Sequence, residues 1–184
     1  MRAFVALEIE EPRVLDALVA FQAELSRAGA DLKLVERENL HFTVKFLGEI
    51  SESQAREADA RLKGLRLSSA RVEVRGVGAF PSIERPNVVW VGVLGSQEGL
   101  VVQIAQSAIA ALEAIGETDG RPFRAHATLA RLRSRNESKE LSALLSANSD
   151  RSFGSLALKQ LKLKSSVLSS QGPTYSDVGV YPLT

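Results

Sequence analysis

Leu40-His41-Phe42-Thr43-Val44-Lys45-Phe46-Leu47-Gly48 is the stretch whose reading decides the fold. Its branched, aromatic and long side chains alternate with period two, which predicts a strand. Successive side chains on a strand point to opposite faces. His41, Thr43, Lys45 and Leu47 therefore share one predicted face, and Phe42, Val44 and Phe46 the other. The apolar face is expected in the core, which makes Phe46 a packing residue and turns the His/Thr face toward a cleft. On this phase Lys45 adds positive charge beside His41 or sits at the rim. A second copy of the pattern stands about 85 residues later, at His126-Ala127-Thr128-Leu129. The two tetrapeptides hold both histidines of the chain.

Working outward, residues 2–10 (RAFVALEIE) suit a central strand. Pro12 opens a helix whose stripe runs through Val14, Leu15, Leu18, Val19, Phe21, Gln22 and Leu25 and ends near Gly29. Leu32 to Val35 is a short apolar piece. Ser51 is a possible N-cap for a helix reaching about Leu65. Residues 71–80 alternate as a strand with Val72, Val74 and Val77 inward. Residues 88–94 (VVWVGVL) form a buried strand around Trp90, which is read as core. A long amphipathic helix covers 98–115, a strand covers 123–132, and a short helix covers 137–147. Residues 156–168 are β-like, with a phase slip near Gln160 that suggests a bulge. Gln171-Gly172-Pro173 is a turn, and 178–181 a last short strand. Strand and helix sets that each deliver one His-x-Thr-x strand predict a duplicated α+β architecture, two lobes around a central groove.

The chain has 184 residues, 45% hydrophobic and 24% charged, an ordinary globular balance. It is read as one domain over 1–184. No apolar run approaches the roughly 20 residues that span a bilayer, so no membrane association is expected. The N-terminus reads as a strand rather than a signal peptide, and there is no cysteine for a disulfide framework or a thiolate metal site. These features fit a cytoplasmic protein. A net charge of +1 gives no strong overall pull on nucleic acid. Charge is nevertheless concentrated: Arg121, Arg124, Arg131, Arg133 and Arg135 fall within fifteen residues that contain no carboxylate and surround the second histidine motif. That placement favours an anion site over a merely solvated face.

Two His-x-Thr-x strands side by side bring two imidazoles and two hydroxyls into one small volume. With an ordinary pKa near 6.5, one imidazole can be neutral and the other protonated, the arrangement for paired general acid and base catalysis. Thr43 and Thr128 supply short neutral donors for the oxygens of a phosphate. No metal or other cofactor is needed for this chemistry. Satisfied core histidines and a two-histidine metal site are the competing readings, the latter lacking a suitably spaced carboxylate. Phe80 and Phe123 border turns and are candidates for nucleobase stacking, against a core reading.

With these residues quoted, the chain resembles the 2H phosphoesterase superfamily. More closely it resembles the bacterial and archaeal RNA 2′,3′-cyclic phosphodiesterases, also called 2′-5′ RNA ligases. The likeness rests on RAFVALEI, LHFTVKFLGE, GAFPS followed by the Trp90 strand, HATLARLR and the late SQGPTY. It implies a bilobal α+β fold, two pseudo-symmetric lobes of antiparallel sheet with helices outside and the active-site groove between them. It implies hydrolysis of RNA 2′,3′-cyclic phosphate ends to 2′-phosphates, and a monomer is expected. His41 would be the proton donor and His126 the proton acceptor, with reversible 2′-5′ ligation in the other direction. Arg131 matches a basic phosphate-contacting position, yet simple alternation puts it on the face opposite His126, unless the strand twists or bulges. Arg133 has the same parity. A 2H phosphoesterase for another cyclic or 2′-5′ phosphodiester, and a non-catalytic RNA-end-binding protein, are the alternatives.

Overall fold

The computed structural model describes residues 1–117, 120–134, 138–170 and 172–184. The first half of the chain supplies β1 (Arg2–Glu8), α1 (Pro12–Ser26), β2 (Leu32–Leu34), β3 (His41–Glu49), α2 (Glu52–Lys63) and β4 (Ala70–Pro81). The second supplies β5 (Pro86–Leu94), α3 (Glu98–Ala111), β6 (His126–Leu132), α4 (Lys139–Ala147), β7 (Ser152–Leu158), β8 (Gln160–Ser169) and β9 (Gly172–Pro182). The α+β class expected from the sequence is the class observed.

All strand pairings among the described residues are antiparallel. They form one sheet in the order β7-β4-β5-β6-β3-β1-β8-β9, with β2 added beside β6. The order is two halves of four strands joined at the β6–β3 seam. A twofold relation exchanges β3 with β6, β1 with β5, β8 with β4 and β9 with β7. One lobe thus combines the first and last strands of the chain, and the middle of the chain builds the other.

The helices form for local reasons and bury one face each. Pro12 starts α1, where its missing N–H costs nothing, and Val14, Leu18, Phe21, Gln22 and Leu25 make its buried stripe. Ser51 and Gln54 close a capping box at the start of α2. Ser138 caps α4 by accepting the Leu141 N–H at 3.1 Å. The helical stripes join Val5, Leu7, Phe42, Val91, Ala127 and Leu163 in one apolar core. At about 25 cal/mol per Å² of apolar surface removed from water, this burial is the main force holding the two lobes together.

The phase slip near Gln160 is not a bulge. β7 lies at the outer edge of one lobe and pairs with β4, whereas β8 pairs with β1 in the other lobe. Only Lys159 separates them, so the strand bends there and changes lobe, which a curled sheet permits. The last strand is also longer than read from the sequence, because β8 supplies it with a partner from Gly172 to Pro182. Of the predicted turn at 171–173, Gln171 lies outside the described residues.

Candidate active site

The two histidine motifs meet at the seam. Phe42 of β3 pairs with Ala127 of β6, and both are fully buried on the core face. Antiparallel register then sets His41 across from Thr128 and Thr43 across from His126. All four are half-buried on the opposite face, where they line the groove. The strand parity read from each motif alone therefore holds on both sides.

Beyond the motifs the parity breaks, in the same way twice. On β3, Ala6 of β1 faces Thr43 and Val5 faces Lys45, which leaves Val44 as the extra residue of a bulge. On β6, Trp90 of β5 faces Thr128 and Val89 faces Ala130, which leaves Leu129 as the extra residue. Two consecutive residues on each strand thus turn to the core, Val44 and Lys45 on one, Leu129 and Ala130 on the other. The fifth residue after each histidine is thrown onto the groove face. On β6 that residue is Arg131, and the bulge removes the conflict between its parity and a place in the site. On β3 it is Phe46, which is 60% exposed and sits 6.2 Å from the Phe4 ring, ring centre to ring centre. The expected core role of Phe46 is overturned, and Leu47 takes the buried place instead. Lys45 is likewise turned away from the groove, and its Nζ donates to the Glu117 carbonyl at 2.7 Å.

Each imidazole is anchored by one nitrogen. His41 Nδ1 lies 2.7 Å from the Asn39 carbonyl, and His126 Nδ1 lies 2.8 Å from the Arg124 carbonyl. A carbonyl only accepts, so Nδ1 carries the proton in both rings. The neutral forms then present a bare Nε2 to the groove. At His41 that nitrogen accepts from the Thr43 hydroxyl at 3.0 Å. Aromatic walls hold both rings. Phe4 lies 5.1 Å and Tyr175 5.7 Å from His41, and Phe80 lies 5.0 Å and Trp90 6.2 Å from His126.

The electrostatics of the two halves differ. Behind His41, Glu8 pairs with Lys162 and Lys164, and Lys164 also donates to Asp177 at 2.6 Å. Burial pushes the His41 imidazole below its ordinary value; the Lys164 charge adds to that, while the Asn39 bond and Glu8 oppose it. Burial raises the Tyr175 hydroxyl, against the charges of Arg131 and Lys164. Arg131 from β6 is therefore near enough to Tyr175 to act on it, and Tyr175 in turn touches His41. Among the described residues no three His, Asp or Glu side chains come together as a metal-ligand set.

The LigT-like phosphoesterase family profile matches residues 9–90 and 97–175, one segment for each histidine motif. The chain belongs to the LigT-like phosphoesterase family. Among its curated relatives is an RNA 2′,3′-cyclic phosphodiesterase of Archaeoglobus fulgidus, 34% identical, with 98% of this chain and 99% of that protein covered. One of the same name from Aeropyrum pernix is 38% identical, over 86% of this chain and 90% of its own. Among solved structures, TT0787 of Thermus thermophilus superposes with a TM-score of 0.81 at 29% identity, covering 100% and 98% of the two chains. E. coli LigT complexed with 3′-AMP shares the fold, with a TM-score of 0.79 at 22% identity over 100% and 98% of the two chains.

Within this LigT-like fold, several site features escaped the sequence reading. Trp90, expected in the core, lies on the groove face across from Thr128, and its ring fills the space left by the missing side chain of Gly78. Arg133 is not in the site; its guanidinium pairs with Asp31 at 3.7 Å. Arg135 lies outside the described residues. Tyr175 and the Glu8–Lys162–Lys164 cluster were missed, because the strands that carry them are far apart in the chain and meet only in the sheet. The anchors of the histidines are backbone carbonyls, which any residue at 39 or 124 would provide, so no side-chain signal marks them. No helix among the described residues is long and apolar enough to cross a membrane.

Proposed function

We propose that this LigT-like phosphoesterase hydrolyses the 2′,3′-cyclic phosphate ends of RNA to 2′-phosphates, with His41 and His126 as the acid–base pair. One observation carries the reading. Two imidazoles, each locked through Nδ1 to the carbonyl two residues before it, offer both Nε2 atoms to one groove across a twofold seam. The names of the curated relatives point to the same substrate.

A cyclic phosphate between the two rings has an attacking water at His126 and the O3′ leaving group at His41, the assignment the family resemblance implies. His126 Nε2 takes a proton from the water as its oxygen bonds to phosphorus. The P–O3′ bond breaks, and His41 Nε2 gives its proton to O3′. The product keeps the phosphate on O2′. Burial alone disfavours protonated His41, but the negative charge of a bound phosphodiester favours it. With His41 protonated the Thr43 hydroxyl is released from it, and Thr43, Thr128 and Arg131 donate to the non-bridging oxygens, where charge builds in the transition state. The same pair run in reverse would let a 5′-hydroxyl open the cyclic phosphate, the 2′-5′ ligation.

The test is product analysis on an oligoribonucleotide ending in a 2′,3′-cyclic phosphate, with His41→Ala and His126→Ala as controls. A 2′-phosphate is expected, unaffected by a strong chelator. Each variant is expected to lose roughly 10²–10⁴-fold in kcat while unfolding at the wild-type temperature. Tight binding of the cyclic end without turnover would instead identify an RNA-end-binding protein. Near wild-type rates in both variants would sink the mechanism.

A further inference from the structure

The two ends of the groove are exchanged by the twofold relation, yet they carry different chemistry. On β6 the fifth residue after the histidine is Arg131, and on β3 it is Phe46. Each has a neighbour beyond the seam. β2 runs beside the end of β6 and sets Lys33 directly opposite Arg131, on the same face of the sheet. Beside the end of β3 the corresponding place is taken by Gly116 and Glu117. The Glu117 N–H donates to the Leu47 carbonyl at 3.1 Å, and its carboxylate lies over Gly48. One end therefore presents two cations, the other an exposed aromatic ring and a carboxylate.

Placing the two cations there costs stability, because like charges directly opposite on neighbouring strands repel. Other cations of the sheet are neutralised, Arg133 by Asp31 and both Lys162 and Lys164 by Glu8. Among the described residues, neither Lys33 nor Arg131 forms an ion pair. Lys33 is exposed but does not trail into solvent. Its ammonium lies against Gly172, where β9 reaches over from the other lobe; a Cβ at that position would stand 3.6 Å from it. The Asn39 amide donates to the Pro173 carbonyl at 3.4 Å and holds the crossing in place. Lys33 thus spans this end of the groove with its charge uncompensated.

The reacting phosphate engages only one of the pair, Arg131. The O3′ leaving group faces His41, so the ribose that carries it lies on the His41 half of the seam. His41 stands across from Thr128, and Lys33 stands across from Arg131, three residues further along β6. The RNA strand attached to that ribose brings its next phosphate from the 5′ side, and Lys33 is the cation in its path. At the far end Glu117 repels a phosphate. We propose that Lys33 holds the phosphodiester on the 5′ side of the terminal nucleotide, so that an RNA end is preferred to a cyclic mononucleotide. A lysine acts there as a point charge, which suits a backbone phosphate whatever the sequence. This rests on the preceding reading of the substrate and of His41 as the acid.

The experiment uses two dinucleotides that both end in a cytidine 2′,3′-cyclic phosphate and carry a 2′-deoxynucleoside upstream. The link between the nucleosides is a phosphodiester in one and an uncharged methylphosphonate in the other. At low salt the wild type is expected to favour the charged link about fivefold in kcat/KM, the scale of one exposed ion pair, and the preference should shrink as salt rises. Lys33→Met is expected to bring it below about twofold, and Lys33→Arg to retain it. Arg131→Met is expected to slow both dinucleotides alike and so to keep the preference. Each preference is a ratio measured on one preparation, so partial unfolding cancels. Equal kcat/KM for the two links in the wild type overturns the proposal. So does a Lys33→Met variant with the wild-type preference, because Lys33 would then serve the reacting phosphate or nothing. Cytidine 2′,3′-cyclic phosphate, assayed alongside, reports on the parent reading. Its turnover without a preference between the dinucleotides sinks this proposal alone, and no turnover of any of the three sinks both.

Discussion

Gln22 sits in the buried stripe of α1 and is only 3% exposed. Its Nε2 donates to the Val35 carbonyl and to the Leu129 carbonyl, both at 2.8 Å. Leu129 is the extra residue of the β6 bulge, and its carbonyl also accepts the Val35 N–H at 2.9 Å. The amide therefore ties a helix to the irregularity that turns Arg131 into the groove. Gln22→Leu keeps most of the side-chain volume and removes both bonds. The Leu129 carbonyl retains one donor, but the Val35 carbonyl loses that of Gln22. Losing both bonds, with the half-buried Val35 carbonyl deprived of this donor, costs about 1–3 kcal/mol beyond what the added apolar surface returns, so a net loss of about 2 kcal/mol is expected. For a chain of this size that lowers Tm by roughly 4–8 °C, read by calorimetry. At a temperature where the variant is fully folded, the loosened bulge is expected to lower kcat/KM for a cyclic phosphate by about threefold to tenfold, and a double-mutant cycle with Arg131→Met isolates the link. In the Arg131→Met background the Gln22 substitution should do no further harm to kcat/KM. A Tm within about 1 °C of wild type would refute the energetic half of this reasoning. An equal loss of kcat/KM in both backgrounds would refute the connection to Arg131.

Glu8→Gln is expected to cost about 2–3 kcal/mol at neutral pH, since Lys162 and Lys164 are buried and keep only Glu10 and Asp177. Burial pushes Glu8 up, but its bonds to the two lysines hold it below its ordinary 4.5; its contribution is complete above that value and drains away as pH falls through the folded value. Lys162 is pulled down by burial, yet Glu8 and Asp177 hold it above its ordinary 10.5, so its share is complete below 10.5 and lost as pH rises beyond. Denaturant titrations should therefore show a wild-type advantage that is flat from about pH 5 to 10 and shrinks toward pH 3; a constant advantage down to pH 3 would contradict the network. The pH–rate profile should be bell-shaped, and the limb belonging to His41 should move to lower pH in Glu8→Gln, because Glu8 supports the protonated ring. Leu47→Ala should cost about 2–5 kcal/mol and Phe46→Ala under about 1, a contrast that reverses if β3 keeps simple alternation. Arg131→Met should lower kcat/KM for a cyclic phosphate by about 10²-fold with Tm unchanged; a loss below about twofold would remove it from the site.

The pairing of each histidine with a threonine was legible in the sequence because it is written in short-range parity. His41 with Thr43, and His126 with Thr128, share a face on any strand, and repetition of the pattern around the chain's two histidines marked it. The helices were legible for the same reason, as in the apolar stripe of α1 and the Ser51–Gln54 box of α2. Phe46, Lys45 and Arg131 were misplaced or left ambiguous because each follows a bulge, and a bulge is a property of two strands. Whether Val44 or Leu129 is skipped depends on how β1 and β5 lie beside them, and on Gln22 reaching across from α1. The bend at Lys159 likewise has meaning only once β4 and β1 are its neighbours. The sequence by itself determined that each histidine shares a strand face with a threonine. Tertiary structure alone decided that the two motifs meet at a twofold seam, that Arg131 lies on their face of the sheet and Lys45 does not, and that Glu8, Lys162 and Lys164 gather beside His41. The reason is physical: side-chain direction along a strand is local, whereas register and burial are set by partners dozens of residues away.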